Sequence, residues 1–227
     1  MGFNIAIDGP AGAGKSTIAK RAAKELQFIY VDTGSMYRAI GLYMDRQGLD
    51  LTDEALISSR VSEADVSINY VNGEQQVLLN GENVSTLVRT EAVGAMASKV
   101  SAYPAVRAHL LELQRKLAKE ADVLMDGRDI GTCILPNADV KIYLTADPAV
   151  RAKRRCLELE QKGIPCDPQA VLQQIIDRDY QDMHRETAPL RQAEDAVLVD
   201  TSSMTIDEVV NEIIRLADAK RKQEPEM

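Results

Sequence analysis

The chain has 227 residues, 45% of them hydrophobic and 27% charged, with a formal net charge of −8. That length suits one compact domain with room for an inserted subdomain and a full core, and the acidic balance argues against adhesion to nucleic acid or membrane through bulk charge. No apolar run reaches the length of a membrane span, and with the first strand-like segment starting almost at Met1 no secretory leader is expected.

Asn4-Ile5-Ala6-Ile7-Asp8 reads as a short buried strand. Directly after it comes Gly9-Pro10-Ala11-Gly12-Ala13-Gly14-Lys15-Ser16-Thr17, which meets the G-x-x-x-x-G-K-[ST] spacing at every constrained position. Glycines at these places let backbone N–H groups turn inward as an anion nest. Lys15 can reach terminal phosphates, and the Ser16 hydroxyl can ligate Mg²⁺. Ser16 to Leu26 reads as a helix, whose positive N-terminus adds to the same site. The competing reading is a glycine turn that matches by chance. A strand before and a helix after favour a nucleoside triphosphate site.

Phe28–Val31 is the second strand, followed by Asp32-Thr33-Gly34-Ser35-Met36-Tyr37-Arg38. In an open α/β sheet, loops beyond the C-terminal strand ends form the ligand crevice. There Thr33 and Ser35 offer hydroxyls, and Arg38 offers a planar fork suited to phosphate. A helix cap followed by a surface arginine is the plainer alternative. Val66, Ile68 and Tyr70 then alternate with polar residues, Asn72-Gly73 makes a tight turn, Val77 and Leu79 alternate again, and Asn80-Gly81 turns before Val84. This is a small antiparallel meander, either surface decoration or a mobile lobe closing over a second substrate.

The third strand, Val123–Met125, runs into Asp126-Gly127-Arg128-Asp129. An apolar strand ending in Asp resembles the acidic element that orients a Mg²⁺ shell. Arg128 points to the same crevice, with Asp129 placed to pair with it or to accept a hydrogen bond from a base. Val140–Leu144 and Ala196–Val199 complete a set of five sheet strands alternating with helices, the pattern of a parallel α/β protein. Asp147-Pro148 and Asp167-Pro168 each cap a helix, closed by Gly163 and Pro189 respectively. Arg151, Arg154 and Arg155 share a face of the first, and Arg178, Asp182 and Arg185 a face of the second. Solvated helices with internal pairs such as Arg178 with Asp182 would produce this pattern. So would a closing lid over polyphosphate, which five arginines on two short-linked helices of an acidic protein favour. Thr205-Ile206-Asp207-Glu208 is a capping box opening the last helix, and Lys220 to Met227 reads as a frayed end. Cys133, Cys156 and Cys166 have no metal spacing and are expected to be free thiols, which suits a reducing cytoplasm. With only His109 and His184 available, zinc is not expected.

Four blocks are individually distinctive: the Gly9–Lys15 loop, Asp32 to Arg38, Asp126-Gly127-Arg128-Asp129-Ile130-Gly131-Thr132, and Arg185-Glu186-Thr187-Ala188-Pro189-Leu190. Together they resemble the bacterial cytidylate kinases, members of the nucleoside monophosphate kinase family, and the resemblance runs from Ile5 through the C-terminal helix. It implies a three-layer phosphate-loop (P-loop) NTPase α/β fold. A central five-stranded parallel sheet would carry an antiparallel β insert as the monophosphate-binding lobe, and a short helical lid. The implied organisation is a single kinase domain, 1–227, with core segments 1–60, 101–150 and 188–220, insert about 61–100, lid about 151–187 and frayed tail 221–227.

The implied reaction is transfer of the γ-phosphoryl group of ATP to CMP or dCMP with Mg²⁺. Residues 9–17 (Gly9, Pro10, Ala11, Gly12, Ala13, Gly14, Lys15, Ser16 and Thr17) would hold ATP. Ser16, and Asp126 directly or through water, would hold the metal. Thr33, Arg38 and Arg128 would hold the acceptor phosphate, and Ser98, Arg107 and Asp129 would read the cytosine edge. Arg178, Asp182 and Arg185 would face the ribose and the transferring group, with Arg154 and Arg155 near them in the lid. Lys15, Arg128, Arg154, Arg155, Arg178 and Arg185 are thus the catalytic cations, and the loop Thr201–Thr205 would flank the adenine. Ser98 and Arg107 sit in ordinary amphipathic helices, and the resemblance alone promotes them. Some relatives carry Gly where this chain has Ser16. The alternative acceptor within the class is another small phosphorylated molecule, UMP or AMP. A GTP switch would need an Asn-Lys-x-Asp segment and a transport ATPase a Leu-Ser-Gly-Gly-Gln motif, and neither occurs. The resemblance implies a cytoplasmic enzyme acting on ATP and CMP or dCMP, without nucleic acid or membrane partners, and nothing requires more than a monomer.

Overall fold

The computed structural model describes residues 2–223. These divide into two compact units, one formed by residues 2 and 29–123, the other by 3–28 and 124–223. A five-stranded sheet has the order β2-β6-β1-β7-β8, and a three-stranded sheet the order β3-β4-β5. The strands of the larger sheet are β1 (Asn4–Asp8), β2 (Ile29–Asp32), β6 (Val123–Gly127), β7 (Val140–Thr145) and β8 (Val197–Asp200). β1–β7 and β7–β8 pair in parallel, with Ile5 opposite Val140 and Ile142 opposite Val197.

Continuous apolar strands explain the parallel sheet. Ile5, Ala6 and Ile7 in β1 and Val123, Leu124 and Met125 in β6 are fully buried, as strands covered on both faces must be. β2, β6, β7 and β8 run one or two residues past their expected ends, and two expected strand starts shift by one residue for local reasons. The Phe28 amide closes the preceding helix onto Ala23 O (2.8 Å), so β2 starts at Ile29, and the Ala196 amide closes a turn onto Ala193 O (3.0 Å), so β8 starts at Val197.

In the second unit, α1 (Lys15–Leu26) packs against α8 (Ile206–Arg221). Ala19, Ala22 and Ala23 of α1 and Val209, Val210 and Ile213 of α8 are buried at helical spacing. The capping box at Thr205 and Glu208 forms in both directions. Helix α8 continues through Arg221, whose guanidinium lies over Phe28 at 4.9 Å, and the remainder of the expected frayed tail, 224–227, lies outside the described residues. α6 (Pro148–Gln161) and α7 (Pro168–His184) form a hairpin, with Asp147 and Asp167 accepting first-turn amides as expected.

Three expectations about this hairpin are corrected. α7 ends at His184 rather than at Pro189, because Arg185 takes extended backbone (ψ 143) and turns its guanidinium onto Ala188 O at 2.6 and 2.8 Å. Cys156 and Cys166 are not free: they form a disulfide with Cα atoms 5.4 Å apart, while Cys133 remains a thiol. The loop after Gly163 returns the chain along α6 and sets Cys166 against Cys156, a path that residue spacing alone does not reveal. Finally, Arg151, Arg154 and Arg155 do not present one cationic face. Each long side chain turns to a different acceptor: Asp179 for Arg151, Thr201 for Arg154 and Glu158 for Arg155.

The first unit holds α2 (Thr33–Arg46), α3 (Glu54–Arg60), the meander β3 (Val66–Val71), β4 (Glu74–Leu79) and β5 (Glu82–Asn83), α4 (Glu91–Val100) and α5 (Pro104–Glu120). Both hairpin turns place Asn and Gly at positive φ (53° and 77°, then 49° and 82°), which matches the twist of the strands they join. Met36, Ile40, Met44, Ile57 and Leu110 are fully buried and form this unit's core. Gly41 lets α2 and α4 approach, since a Cβ there would lie 2.9 Å from that of Met96. Among the described residues, no helix is long and apolar enough to cross a membrane.

Candidate active site

The phosphate loop leaves β1 at Gly9, whose φ of +147° and 1.9 Å approach of a hypothetical Cβ to Leu144 O admit only glycine. Gly14, at φ 85°, is the N-cap of α1 and offers no side-chain cap, so the helix's first amides face the loop without an internal acceptor. Lys15 Nζ donates to Gly9 O and Pro10 O, both at 2.7 Å. Burial, then the charge of Arg128, lower the Lys15 amine well below the ordinary lysine range, against the pull of Asp126, Asp182 and Asp8. A polyphosphate in the loop would reverse that balance by adding negative charge beside the amine.

Ser16 Oγ donates to Asp126 Oδ2 at 2.9 Å, joining residues 110 apart in sequence. Both belong to the pair expected to hold a metal. One hydroxyl and one carboxylate are hard oxygen donors. Magnesium commonly binds in this way, through one or two carboxylates, retained waters and the substrate's phosphates. Among the described residues no group of three or more His, Cys, Asp or Glu side chains could hold an ion without such help.

Beyond β6, Arg128 Nε donates to Asp182 Oδ2 at 2.9 Å and its Nη1 to Gly127 O at 3.2 Å. Asp182 therefore pairs with Arg128, not simply with Arg178 one turn before it. Burial pushes the Asp182 carboxyl up, but Arg128, Arg178 and Arg185 together hold it below its usual value. Arg185 Nη2 reaches Asp129 Oδ1 at 3.4 Å. Asp129, expected to meet Arg128 or a base, thus faces the arginine of α7's end. A single π-helical turn, Ile130–Ile134, follows, an irregularity frequent at functional sites.

Asp8 and Arg151 take structural roles here that their local sequence does not indicate. Asp8 accepts the Ile130 and Gly131 amides, both at 2.7 Å, and so ties the end of β1 to the turn after Asp129. Burial raises its pKa to about 6, helped by Asp129 and opposed by the two amides and Lys15. An acid closing an apolar strand, the pattern at Asp126, is equally present at Asp8. Arg151 is buried: its Nη atoms bind Asp179 at 3.1 and 2.5 Å, its Nη1 also donates to Ala11 O of the phosphate loop, and its Nε to Ala146 O, each at 2.9 Å. It thereby ties the phosphate loop to Asp179 of α7. Arg154 donates to Thr201 O at 2.6 Å, in the loop expected to flank adenine, and Arg155 meets Glu158 on the surface at 3.2 Å.

In the first unit, Asp32 Oδ1 caps α2 by accepting the Ser35 amide at 3.1 Å, and Thr33 is buried in the first turn. Arg38 follows within the same helix, half-buried, and makes no hydrogen bond or ion pair among the described residues. Arg107 of α5 donates to Ser101 O at 3.1 Å and lies 5.4 Å from the Tyr37 ring centre. Ser98 is half-buried in α4 and accepts the Ser101 hydroxyl at its carbonyl at 3.1 Å. Gln75 of the meander, which the sequence reading passed over, hydrogen-bonds Asp32 and Ser35.

A family model for cytidylate kinase matches residues 5–219. A cytidylate kinase of Caldicellulosiruptor bescii is 49% identical over 214 residues, covering 94% of this chain and 95% of that protein. One from Lactobacillus johnsonii is 47% identical over 220 residues, with coverage of 97% and 96%. Among solved structures, an uncharacterized protein from Eubacterium ventriosum aligns with a TM-score of 0.50 at 15% identity, over 96% of this chain and 99% of that one, a likeness of fold alone.

Proposed function

The chain belongs to the cytidylate kinase family, and from that premise we propose that it transfers the γ-phosphoryl group of ATP to CMP or dCMP, giving ADP and CDP or dCDP. The observation that carries the chemistry is the Ser16–Asp126 hydrogen bond beside the uncapped start of α1. It joins metal-type donors to a phosphate nest. The family membership carries the choice of acceptor, and UMP or AMP is not favoured.

In this reading residues 9–17 bind the ATP phosphates, and Ser16 with Asp126 holds Mg²⁺, which neutralises charge on the phosphates when bound. Thr33, Arg38 and Arg128 bind the acceptor phosphate. Ser98, Arg107 and Asp129 read cytosine, while Arg178, Asp182 and Arg185 serve the ribose and the transferring group. Arg154 and Arg155 belong to the lid. That Arg38 has no partner among the described residues supports a phosphate role, because a half-buried guanidinium gains most from an incoming anion. The acceptor oxygen is already ionised near neutrality, so no general base is required. The barrier is repulsion between two polyanions, which Lys15 and the arginines offset most strongly once water is excluded.

The organisation that goes with this reading is a single kinase domain with a monophosphate-binding insert at about 61–100 and a lid at about 151–187. The protein would act as a cytoplasmic monomer, with the two nucleotides as its partners and without nucleic acid or membrane. The Cys156–Cys166 disulfide stands outside these contacts, since none assigned above to either nucleotide involves a sulfur.

Steady-state rates with CMP, dCMP, UMP and AMP at fixed ATP and Mg²⁺ test the proposal. CMP and dCMP should exceed the other two in kcat/KM by at least about 10²-fold, as expected where a site hydrogen-bonds its substrate. Absence of any diphosphate product from CMP and dCMP would overturn it.

A further inference from the structure

Tyr70 and Gln75 stand opposite each other in the β3–β4 register, so they project from the same face of the hairpin. Both reach the segment that leads into α2. The Tyr70 hydroxyl donates to Tyr30 O at 3.2 Å. Gln75 accepts the Asp32 amide at Oε1 (2.8 Å) and donates through Nε2 to Asp32 O (3.2 Å) and Ser35 Oγ (2.8 Å). The Gln75 carboxamide thereby meets Asp32 as a residue of a neighbouring antiparallel strand would, exchanging both backbone bonds with one residue. β2 stands at the end of the sheet's strand order, where such a partner is otherwise lacking.

Asp32 is the N-cap of α2, and Ser35 Oγ donates to Asp32 O at 2.6 Å while it accepts from Gln75. One side chain of the insert thus fixes the first turn of the helix that carries Thr33 and Arg38. Resting on the assignment of those two residues to the acceptor phosphate, we propose that Gln75 is a positioning residue for the acceptor. It holds the start of α2 in the orientation that binds the nucleoside monophosphate, and this is a task of the inserted meander. The insert acts on acceptor affinity through hydrogen bonds to backbone and hydroxyl, without touching the reacting atoms.

The test uses the full chain and the variants Gln75→Ala and Gln75→Met, the second keeping side-chain length while removing every hydrogen bond. KM for CMP should rise about tenfold in both, the worth of roughly one net hydrogen bond, with KM for ATP and the melting temperature nearly unchanged. Gln76→Ala, whose side chain lies on the opposite face of β4, should behave as wild type. A CMP KM within about twofold of wild type in Gln75→Met overturns the proposal, and so does an equal rise in both KM values, since a merely structural role has that signature. Wild-type turnover of CMP reports separately on the kinase reading. If neither variant folds, amide hydrogen exchange on the wild type decides: saturating CMP should slow exchange at Asp32 by reciprocity of coupling. Exchange there that CMP leaves unchanged refutes the positioning role.

Discussion

Asp179→Ala isolates the charge balance behind the phosphate loop. Arg151 and Asp179 join α6 to α7 with side chains only 3% and 12% exposed. Removing the carboxylate leaves a buried guanidinium with the Ala146 and Ala11 carbonyls as its remaining acceptors among the contacts described above. Breaking one partner of a buried pair costs about 3–5 kcal/mol. At ~2.1 cal/mol/K per residue the chain's unfolding entropy is roughly 0.5 kcal/mol/K, so the melting temperature should fall by about 6–10 °C. Scanning calorimetry at pH 7 without nucleotide measures this. The double variant Arg151→Met with Asp179→Leu removes both charges and should regain most of the loss, as apolar replacements of buried pairs commonly do. It also deprives Ala11 O of its guanidinium donor, so KM for ATP should stay raised about five- to tenfold. A fall under 2 °C in Asp179→Ala, or a double variant with wild-type KM for ATP, would refute the bracing role of Arg151.

Arg128→Ala should lose on the order of 10²–10³ in kcat, as removal of one preorganised charge-stabilising donor does, and near-normal turnover rejects its assigned role. Ser16→Ala should raise the Mg²⁺ concentration needed for half-maximal rate, and an unaltered magnesium dependence counts against the Ser16–Asp126 pair as metal holders. For Asp8, ¹³C NMR of the carboxyl should titrate near 6, where burial places it, and a midpoint below about 4.5 contradicts the environment described. The sign follows from the raised folded value. Between 3.8 and about 6 the folded state holds the extra proton, so Asp8's contribution to stability declines as pH rises through that window. The rise corresponds to about 3 kcal/mol, with the full cost reached above the folded value.

The elements that depend on neighbours in the chain were legible without coordinates. β1 begins and ends where Asn4-Ile5-Ala6-Ile7-Asp8 predicts, both Asn-Gly turns form with positive φ, and the Thr205–Glu208 box closes as its spacing requires. The phosphate loop belongs to the same class, because its conformation rests on glycines adjacent in sequence and on the helix they open. Ser16 and Asp126 could be named separately from their local patterns. That they touch depends on how β1 and β6 are brought together.

Side-chain partnerships over longer paths were decided by the tertiary structure alone. Asp182 meets Arg128, 54 residues away, although Arg178 stands one turn before it. Arg151 turns inward to Asp179 although its helix spacing matches Arg154 and Arg155. Gln75 finds Asp32 across 43 residues, and Cys156 finds Cys166 because a loop reverses the chain. Helix and strand periodicity dictate the direction in which a side chain leaves the backbone. A guanidinium or carboxamide several bonds long then settles on whichever acceptor the folded chain places within reach, and that choice is written in distances between segments.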